Sequence, residues 1–303
     1  MKKAILLFCV LGLGSLVSSC GFDDPIVEYP EKSVLFTYQN YKRELVVGEG
    51  LKFKLGVVFA GLEKSDRDRK VKYVIDETLI PAGKTLLPAE YYSAANASEI
   101  IVPKGDLKGY VQFQMDSLKF ISDPKSLTGE YVLPFRIVEA DADKITEGKD
   151  YMVLSLKYLA KQFGYYEYKG SRTPEGGEEE KYNNVATDKT SYRELVTVGP
   201  STLRMKADAF ANGDPLKAAK VTMLLEVAPL GGTAVTISAD PTSPVAVEPA
   251  GESTYDPATH TFVLNYKYTV SGTTYTASDK LTFRNRIRDD QGNKVQINEW
   301  QIP

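Results

Sequence analysis

The chain has 303 residues, with 37 lysines and arginines against 40 aspartates and glutamates, for a formal net charge of −3. That length is large for one hydrophobic core and comfortable for two. A mildly acidic balance argues against a nucleic-acid partner, which needs clustered positive charge. Nineteen tyrosines against one tryptophan suit an extracellular β protein, because tyrosine fits half-buried pleated surfaces.

The first element in the chain has the three parts of a secretory signal. Lys2 and Lys3 supply charge, Ala4 to Leu13 an apolar core, and Ser15 to Ser19 small residues before a cleavage point. The apolar run is too short for the roughly 20 residues of a bilayer-spanning helix. Val17-Ser18-Ser19-Cys20 resembles the bacterial lipobox, which implies cutting just before Cys20 and diacylation of its thiol. Two acyl chains hold a protein on a membrane where one does not. Ordinary cleavage that leaves Cys20 near the new terminus is the plainer alternative. Either way Cys9 departs with residues 1–19, and the mature chain keeps one cysteine and no intramolecular disulfide. Residues 20–30 then form a lipidated tether.

From residue 31 alternation dominates. "SVLFTYQNY" (33–41) opens the first unit, and "LKFKLGVVFAG" (51–61) follows the turn Gly48-Glu49-Gly50. Leu51, Phe53, Leu55 and Val57 share one face of a half-buried strand, and Lys52 and Lys54 the other. "VKYVID" (71–76), "SEIIVP" (98–103), "GYVQFQM" (109–115), "EYVLPFRIVEA" (130–140) and "YMVLSLKYL" (151–159) continue the pattern. Ser65-Asp66, Pro103-Lys104-Gly105, Asp123-Pro124 and Thr128-Gly129 supply turns between them. Short strands at this spacing predict an antiparallel β-sandwich over residues 31–160.

Residues 168–191, "YKGSRTPEGGEEEKYNNVATDKTS", hold little to bury and read as an exposed loop or interdomain connection. Strands resume at 192–199, 202–210, 219–229, 233–239, 243–249 and 260–286, with Ser271-Gly272 as a hairpin turn inside the last and Gly292-Asn293 as a later turn. Residues 161–303 are therefore a second all-β domain, either a sandwich or a small barrel, since periodicity does not separate these closures.

Residues 30–160 resemble the N-terminal domain of unknown function of many Bacteroidota surface lipoproteins. The pieces that carry the likeness are "LLPAEYY" (86–92), "EIIVPKGDLKGYVQFQM" (99–115), "YVLPFRIVEAD" (131–141) and "YMVLSLKY" (151–158). Residues 163–303 resemble the C-terminal domain often paired with it, through "YDPATHTFVLNYKY" (255–268), "LTFRNR" (281–286) and the late Trp300. The resemblance implies an immunoglobulin-like first domain and a lipoprotein of the outer membrane, facing the cell exterior beside a SusC/SusD-like glycan importer. It implies no catalytic residue. Asp23 and Asp24, soon after Cys20, match a surface-export signal of that group or are simply a solvated acidic tether.

The residue types for catalysis are sparse. His260 is the only histidine, so a Ser-His-Asp system would have to use it, and no Gly-x-Ser-x-Gly elbow accompanies any serine. No His-Glu-x-x-His, Cys-x-x-Cys or phosphate-cradling glycine loop is present, and neither cofactor nor metal is expected. Asp141, Asp143 and Glu147, and Asp289 with Asp290, are oxygen-rich but lack EF-hand spacing and read as turns. Glu178-Glu179-Glu180 reads as a solvated charge run. Sugar binding asks for exposed aromatic faces beside carboxylates, amides and guanidinium groups. "FGYYEYKGSR" (163–172) places Tyr166 and Tyr168 on one face of a strand, Phe163 and Tyr165 on the other, and Arg172 beyond them. The candidate ligand contacts are Tyr166, Tyr168, Arg172 and Trp300, although tyrosines in strands mostly pack or pair across a sheet. The expected function is a non-catalytic glycan-binding lipoprotein with a polysaccharide or oligosaccharide as partner. A structural or adhesive protein, and a glycoside hydrolase with two hidden carboxylates, are the alternatives.

Overall fold

The computed structural model describes residues 31–184, 193–206, 221–228, 232–288 and 294–295. The signal, Cys20, the tether with Asp23 and Asp24, Asp289, Asp290 and Trp300 lie outside these residues. The described chain is all-β with two short helices, and forms two domains.

The first domain is the sandwich that alternation predicts, and the resemblance implies an immunoglobulin-like one. One sheet contains β1 (Ser33–Leu35), β3 (Lys52–Ala60), β6 (Tyr92–Ala94), β8 (Lys108–Met115) and β10 (Lys144–Ile145) in the order β10-β1-β3-β8-β6. The other contains β2 (Asn40–Val46), β4 (Arg69–Ile75), β7 (Glu99–Val102), β9 (Tyr131–Ala140) and β11 (Tyr151–Leu159) in the order β2-β11-β9-β4-β7, with β5 (Thr85–Leu86) beside β9. The pairing is mostly antiparallel, but β11 runs parallel to β2 over seven residue pairs, starting at Val153 and Asn40. Leu51, Phe53, Leu55 and Val57 are all buried, as their spacing requires. Phe53 stacks on Phe113 at 4.8 Å, and Phe113 and Tyr73 both meet Phe135 edge-on, which joins the two sheets through one aromatic cluster. Each such buried ring contributes about 1.5–3 kcal/mol of burial.

Two helices too short for a periodic signal, α1 (Ser117–Ser122) and α2 (Pro124–Thr128), close one end. Asp116 caps α1 through the amide of Lys119, and Asp123 caps α2 through the amide of Lys125. Pro124 occupies the first turn, where no amide donor is needed, and Gly129 ends α2 at a φ of 71° that favours glycine. The Asp123 carboxylate also accepts the hydroxyls of Tyr91 and Tyr131 at 2.9 and 2.6 Å, so it pins the helices to β9 and stays below the usual carboxylate range.

The second domain is one strongly curved sheet that closes on itself. Its main path is β17 (Val235–Ala239), β16 (Thr222–Val227), β15 (Thr202–Lys206), β14 (Arg193–Thr197), β12 (Gly164–Pro174), β21 (Thr273–Asn285), β20 (Thr261–Val270) and β18 (Val247–Pro249). Two further strands attach, β13 (Glu180–Asn184) to β12 and β19 (Thr254–Asp256) to β20. The ends meet through backbone hydrogen bonds from Val235 to Ser253 at 2.9 Å and from Tyr255 to Thr233 at 2.7 Å. Of the two closures that periodicity leaves open, the sheet adopts a near-barrel. The segment expected as a loop or connection is corrected by this topology. Residues 168–174 and 180–184 form a hairpin inside the second domain, because Tyr168 is buried and the strand gains partners on both sides.

The two hydrophobic cores divide between Tyr158 and Ala160. The crossing is short and hydrogen-bonded: Val47 donates to the carbonyl of Leu159 at 2.8 Å, and Ala160 to the hydroxyl of Thr197 at 3.0 Å. Arg286 adds an ion pair with Glu49 at 2.7 Å and a bond to the Lys161 carbonyl at 3.0 Å.

Candidate functional site

The best-formed candidate lies on the solvent face of the β1-β3-β8 sheet in the first domain. Along β8 the side chains of Val111, Phe113 and Met115 enter the core, so Lys108, Tyr110, Gln112 and Gln114 point outward. Along β3 the outward positions are Lys52, Lys54, Gly56 and Val58. The antiparallel register sets Gly56 directly opposite Tyr110. An ideal Cβ on Gly56 would fall 2.5 and 2.6 Å from two carbons of the Tyr110 ring. One edge of the ring therefore sits over the glycine, in the space a side chain would fill, and 43% of the residue is exposed.

The neighbours follow from the same register. Lys54 pairs with Gln112, Lys52 with Gln114, and Val58 with Lys108, so the platform is flanked by amides, ammonium groups and one aliphatic side chain. Ser93 continues the Gln114 row on β6. Lys54 holds its ammonium 5.6 Å from the centre of the Tyr110 ring. An exposed contact of that kind stabilises by about 0.5–1 kcal/mol, little enough for a ligand to displace it. A flat apolar ring bordered by donors and amide acceptors suits a pyranose: the ring covers C–H groups, and the rim bonds hydroxyls.

The residues singled out in the sequence are placed differently. Tyr166 is completely buried, with edge-on contacts to Phe262 and Phe283 at 5.5 Å, and its hydroxyl donates to the carbonyl of Gln162 at 2.7 Å. Burial pushes its phenol far above the usual range. Tyr168 is 4% exposed and carries the Arg193 guanidinium over its ring at 4.5 Å. The expectation of a solvent-facing pair is thus corrected, because this face of β12 points into the near-barrel and supplies its aromatic core. Arg172 follows on the same face, bonds Glu180 at 2.7 Å and lies 5.4 Å above the ring of Tyr275. Tyr166, Tyr168 and Arg172 therefore make no shared open site, and Trp300 is not among the described residues.

Beneath Tyr168 the second domain holds a buried ion pair. Arg193 and Asp279 bond each other with both side chains fully buried. Asp279 also accepts the hydroxyls of Tyr266, at 2.8 Å, and Tyr182. Burial disfavours the charged guanidinium, but Asp279 reverses the effect and raises its affinity for the proton. Gly170 makes room: a Cβ there would meet an Asp279 oxygen at 2.5 Å. This network is closed to solvent and is read as structural.

Other chemistry is accounted for locally. His260 sits at a positive φ of 51° with its Nδ1 3.0 Å from the Tyr255 hydroxyl. Asp141 and Asp143 accept backbone amides of Lys70 and Lys32, as turn residues do. Asp76 and Asp150 both bind Arg136, which neutralises them. Among the described residues no group of three or more histidines, cysteines or carboxylates could hold a metal ion, and no helix is long and apolar enough to cross a membrane.

Comparison with known proteins agrees with the two-domain division. A family model for an N-terminal domain matches residues 27–144, and a second, for a C-terminal domain, matches residues 155–282. A Bacteroides ovatus structure of unknown function is similar at 18% identity, covering 85% of this chain and 96% of that one, with a TM-score of 0.67. A second B. ovatus structure of unknown function has 14% identity, 86% and 98% coverage and a TM-score of 0.45. An auxiliary nutrient binding protein from Bacteroides thetaiotaomicron has 13% identity, 80% and 90% coverage and a TM-score of 0.41. The first likeness concerns the fold, and the other two are weaker. No curated protein matches the chain.

Proposed function

We propose that this chain, a two-domain β protein of a kind found in Bacteroidota, is a cell-surface lipoprotein that binds glycans without cleaving them. Acyl chains on Cys20 hold it to the outer membrane, facing outward, where it serves a polysaccharide-uptake system with a SusC/SusD-like importer. The observation that supports binding is the exposed ring of Tyr110 laid on Gly56 and bordered by Gln112, Lys54 and Lys108. The site therefore sits in the first domain, rather than on the second-domain tyrosines. The anchor rests on the lipobox-like Val17-Ser18-Ser19-Cys20 and on the stability of two-chain anchoring.

Few groups touch each sugar, so single-site affinity falls in the micromolar to millimolar range, roughly −8 to −4 kcal/mol. Many copies on one membrane add avidity without new contacts. Stacking a pyranose on Tyr110 removes roughly 80 Å² of apolar surface from water, worth about 2 kcal/mol, or roughly 30-fold in affinity. The test is a glycan-array and affinity-gel screen with the soluble chain from residue 21, followed by Tyr110→Ala on each glycan that is retained. Loss of retention with an unchanged far-UV spectrum supports the platform. Undiminished retention refutes it, and release of reducing ends moves the protein to the hydrolases.

A further inference from the structure

The outer face of the second domain carries an arrangement that folding alone does not favour. Lys169 on β12 and Lys280 on β21 are directly opposite in the antiparallel register, and both are exposed. Cross-strand partners have Cβ atoms roughly 5 Å apart, and like charges there destabilise a sheet. Among the described residues neither ammonium has a carboxylate partner. Lys280 is flanked on its other side by the partly exposed Val263. The adjacent row across the same strands is Lys181, Ser171, Ser278 and Asn265. Lys181 pairs with Glu179 at 3.2 Å, yet its side chain remains 78% exposed. Glu167, one outward position along β12 from Lys169, is turned to Arg284 at 3.8 Å. Apart from Asn265, these two rows line an open trough of about 540 Å³, and Gly170, whose missing side chain would point inward to Asp279, lies in its floor. The Asp279 carboxylate beneath it faces the opposite way, toward Arg193.

We infer that this trough binds the carboxylate or sulfate groups of an acidic polysaccharide. An anion placed between Lys169 and Lys280 removes their mutual repulsion; the Ser278 hydroxyl beside it donates to Asn265 at 2.8 Å and Ser171 bonds Glu179, so the two ammonium groups carry the contact. Charge complementarity selects the ligand: on a chain of net charge −3, the two lysines without a carboxylate partner form a local field opposite to that of the whole molecule, while Lys181 is shared with Glu179. The inference deepens the glycan-binding reading by naming the class of glycan, and it rests on a different domain from the Tyr110 platform.

The experiment uses the chain from residue 21 in affinity gels and calorimetry with polygalacturonate, chondroitin sulfate and a neutral glucan. Retention is expected on at least one acidic polymer at low ionic strength, falling as salt rises. Lys169→Gln with Lys280→Gln is expected to weaken that retention at least tenfold and to leave the melting temperature unchanged or raised, since a repulsive pair is gone. Lys64→Gln with Lys104→Gln, equal in charge but outside the trough, is expected to change it less than twofold. Equal loss in both double variants, or no binding to either acidic polymer, overturns the site. Binding only to phosphatidylglycerol vesicles also overturns it in favour of a lipid surface. Tyr110→Ala separates the two readings: it abolishes platform-dependent retention of a neutral glycan and leaves Lys169-dependent retention in place.

Discussion

Gly56→Ala tests the platform without touching the ring that forms it. The added methyl would stand 2.5 Å from a Tyr110 ring carbon, well inside the roughly 3.5–4.0 Å of ordinary carbon contact. Gly56 does not have a positive φ, so alanine suits the strand and by itself is worth about 0.5–1 kcal/mol over glycine. The ring is the free end of a partly exposed side chain and must swing away from the sheet. Re-exposing its covered side returns at most about 100 Å² to water, or about 2.5 kcal/mol. The net effect is therefore a loss of about 1.5–2 kcal/mol, visible as a fall in melting temperature of roughly 5–10 °C for a domain of this size. Calorimetry and affinity-gel retention on the same samples measure both consequences. Retention on glycan should fall as far as in Tyr110→Ala, although the phenol is still present. A variant more stable than the wild type, with retention intact, refutes both the seating of the ring on Gly56 and its role as a platform.

Asp279→Ala strands the Arg193 charge inside the near-barrel and should cost about 3–5 kcal/mol by chemical denaturation, whereas the double variant Arg193→Met, Asp279→Leu should recover part of it, since the Tyr266 and Tyr182 hydroxyls still lose this acceptor. Acid should unfold the second domain partly through Asp240. Burial pushes its carboxyl up, but the Thr242 amide, Arg204, Thr222 and the Thr242 hydroxyl outweigh burial and hold it well below the usual 3.8. A depressed folded value gives stability that is complete above the unfolded pKa and is lost as pH falls through the folded one. Asp240→Asn should therefore flatten the stability profile below about pH 4, and an unchanged profile would exclude Asp240 as a contributor. Cys20→Ala should move the protein from the detergent to the aqueous phase in detergent partitioning and block signal processing; variants that still wash with membranes would refute the anchor.

Much of the first domain was legible because β3, β4 and β8 bury one face cleanly, while β9 and β11 are near-continuous apolar runs. Tyr151–Leu159 has the bounds that alternation gives it, and of the four buried residues that spacing selects β3 holds Phe53, Leu55 and Val57, with Leu51 just before it. β2 was missed for the opposite reason: Lys42, Arg43 and Glu44 interrupt any alternation, and its parallel pairing with β11 is contributed by a distant part of the chain. The helices of six and five residues are too short for a 3.6-residue period to register, although Asp116, Asp123 and Gly129 are ordinary capping signals. The tyrosines of β12 show what alternation omits. It separated Tyr166 and Tyr168 from Phe163 and Tyr165, but the closure of a sheet far along the chain decides which face is inside. The platform was half legible. Tyr110 shares the polar side of its strand with Lys108, Gln112 and Gln114, which is the mark of an outward ring. What seats it is Gly56, and that partner follows only from a register between strands more than fifty residues apart.

The closure of the second domain also bears on whether copies of the chain join to one another. A sheet edge is a row of unpaired amides and carbonyls that templates a further strand, so crowded β proteins risk joining edge to edge. Here the two ends of the long sheet are spent on each other, at Val235 with Ser253 and at Tyr255 with Thr233. In the first domain the marginal strands β6, β7 and β10 have three, four and two residues, which is too little length to recruit a neighbour. The longer margin, β2, carries Lys42, Arg43 and Glu44 in its middle, where an incoming strand would have to match or bury them. Lateral polymerisation is thus discouraged at the ends of the long sheet and at the margins of the first domain.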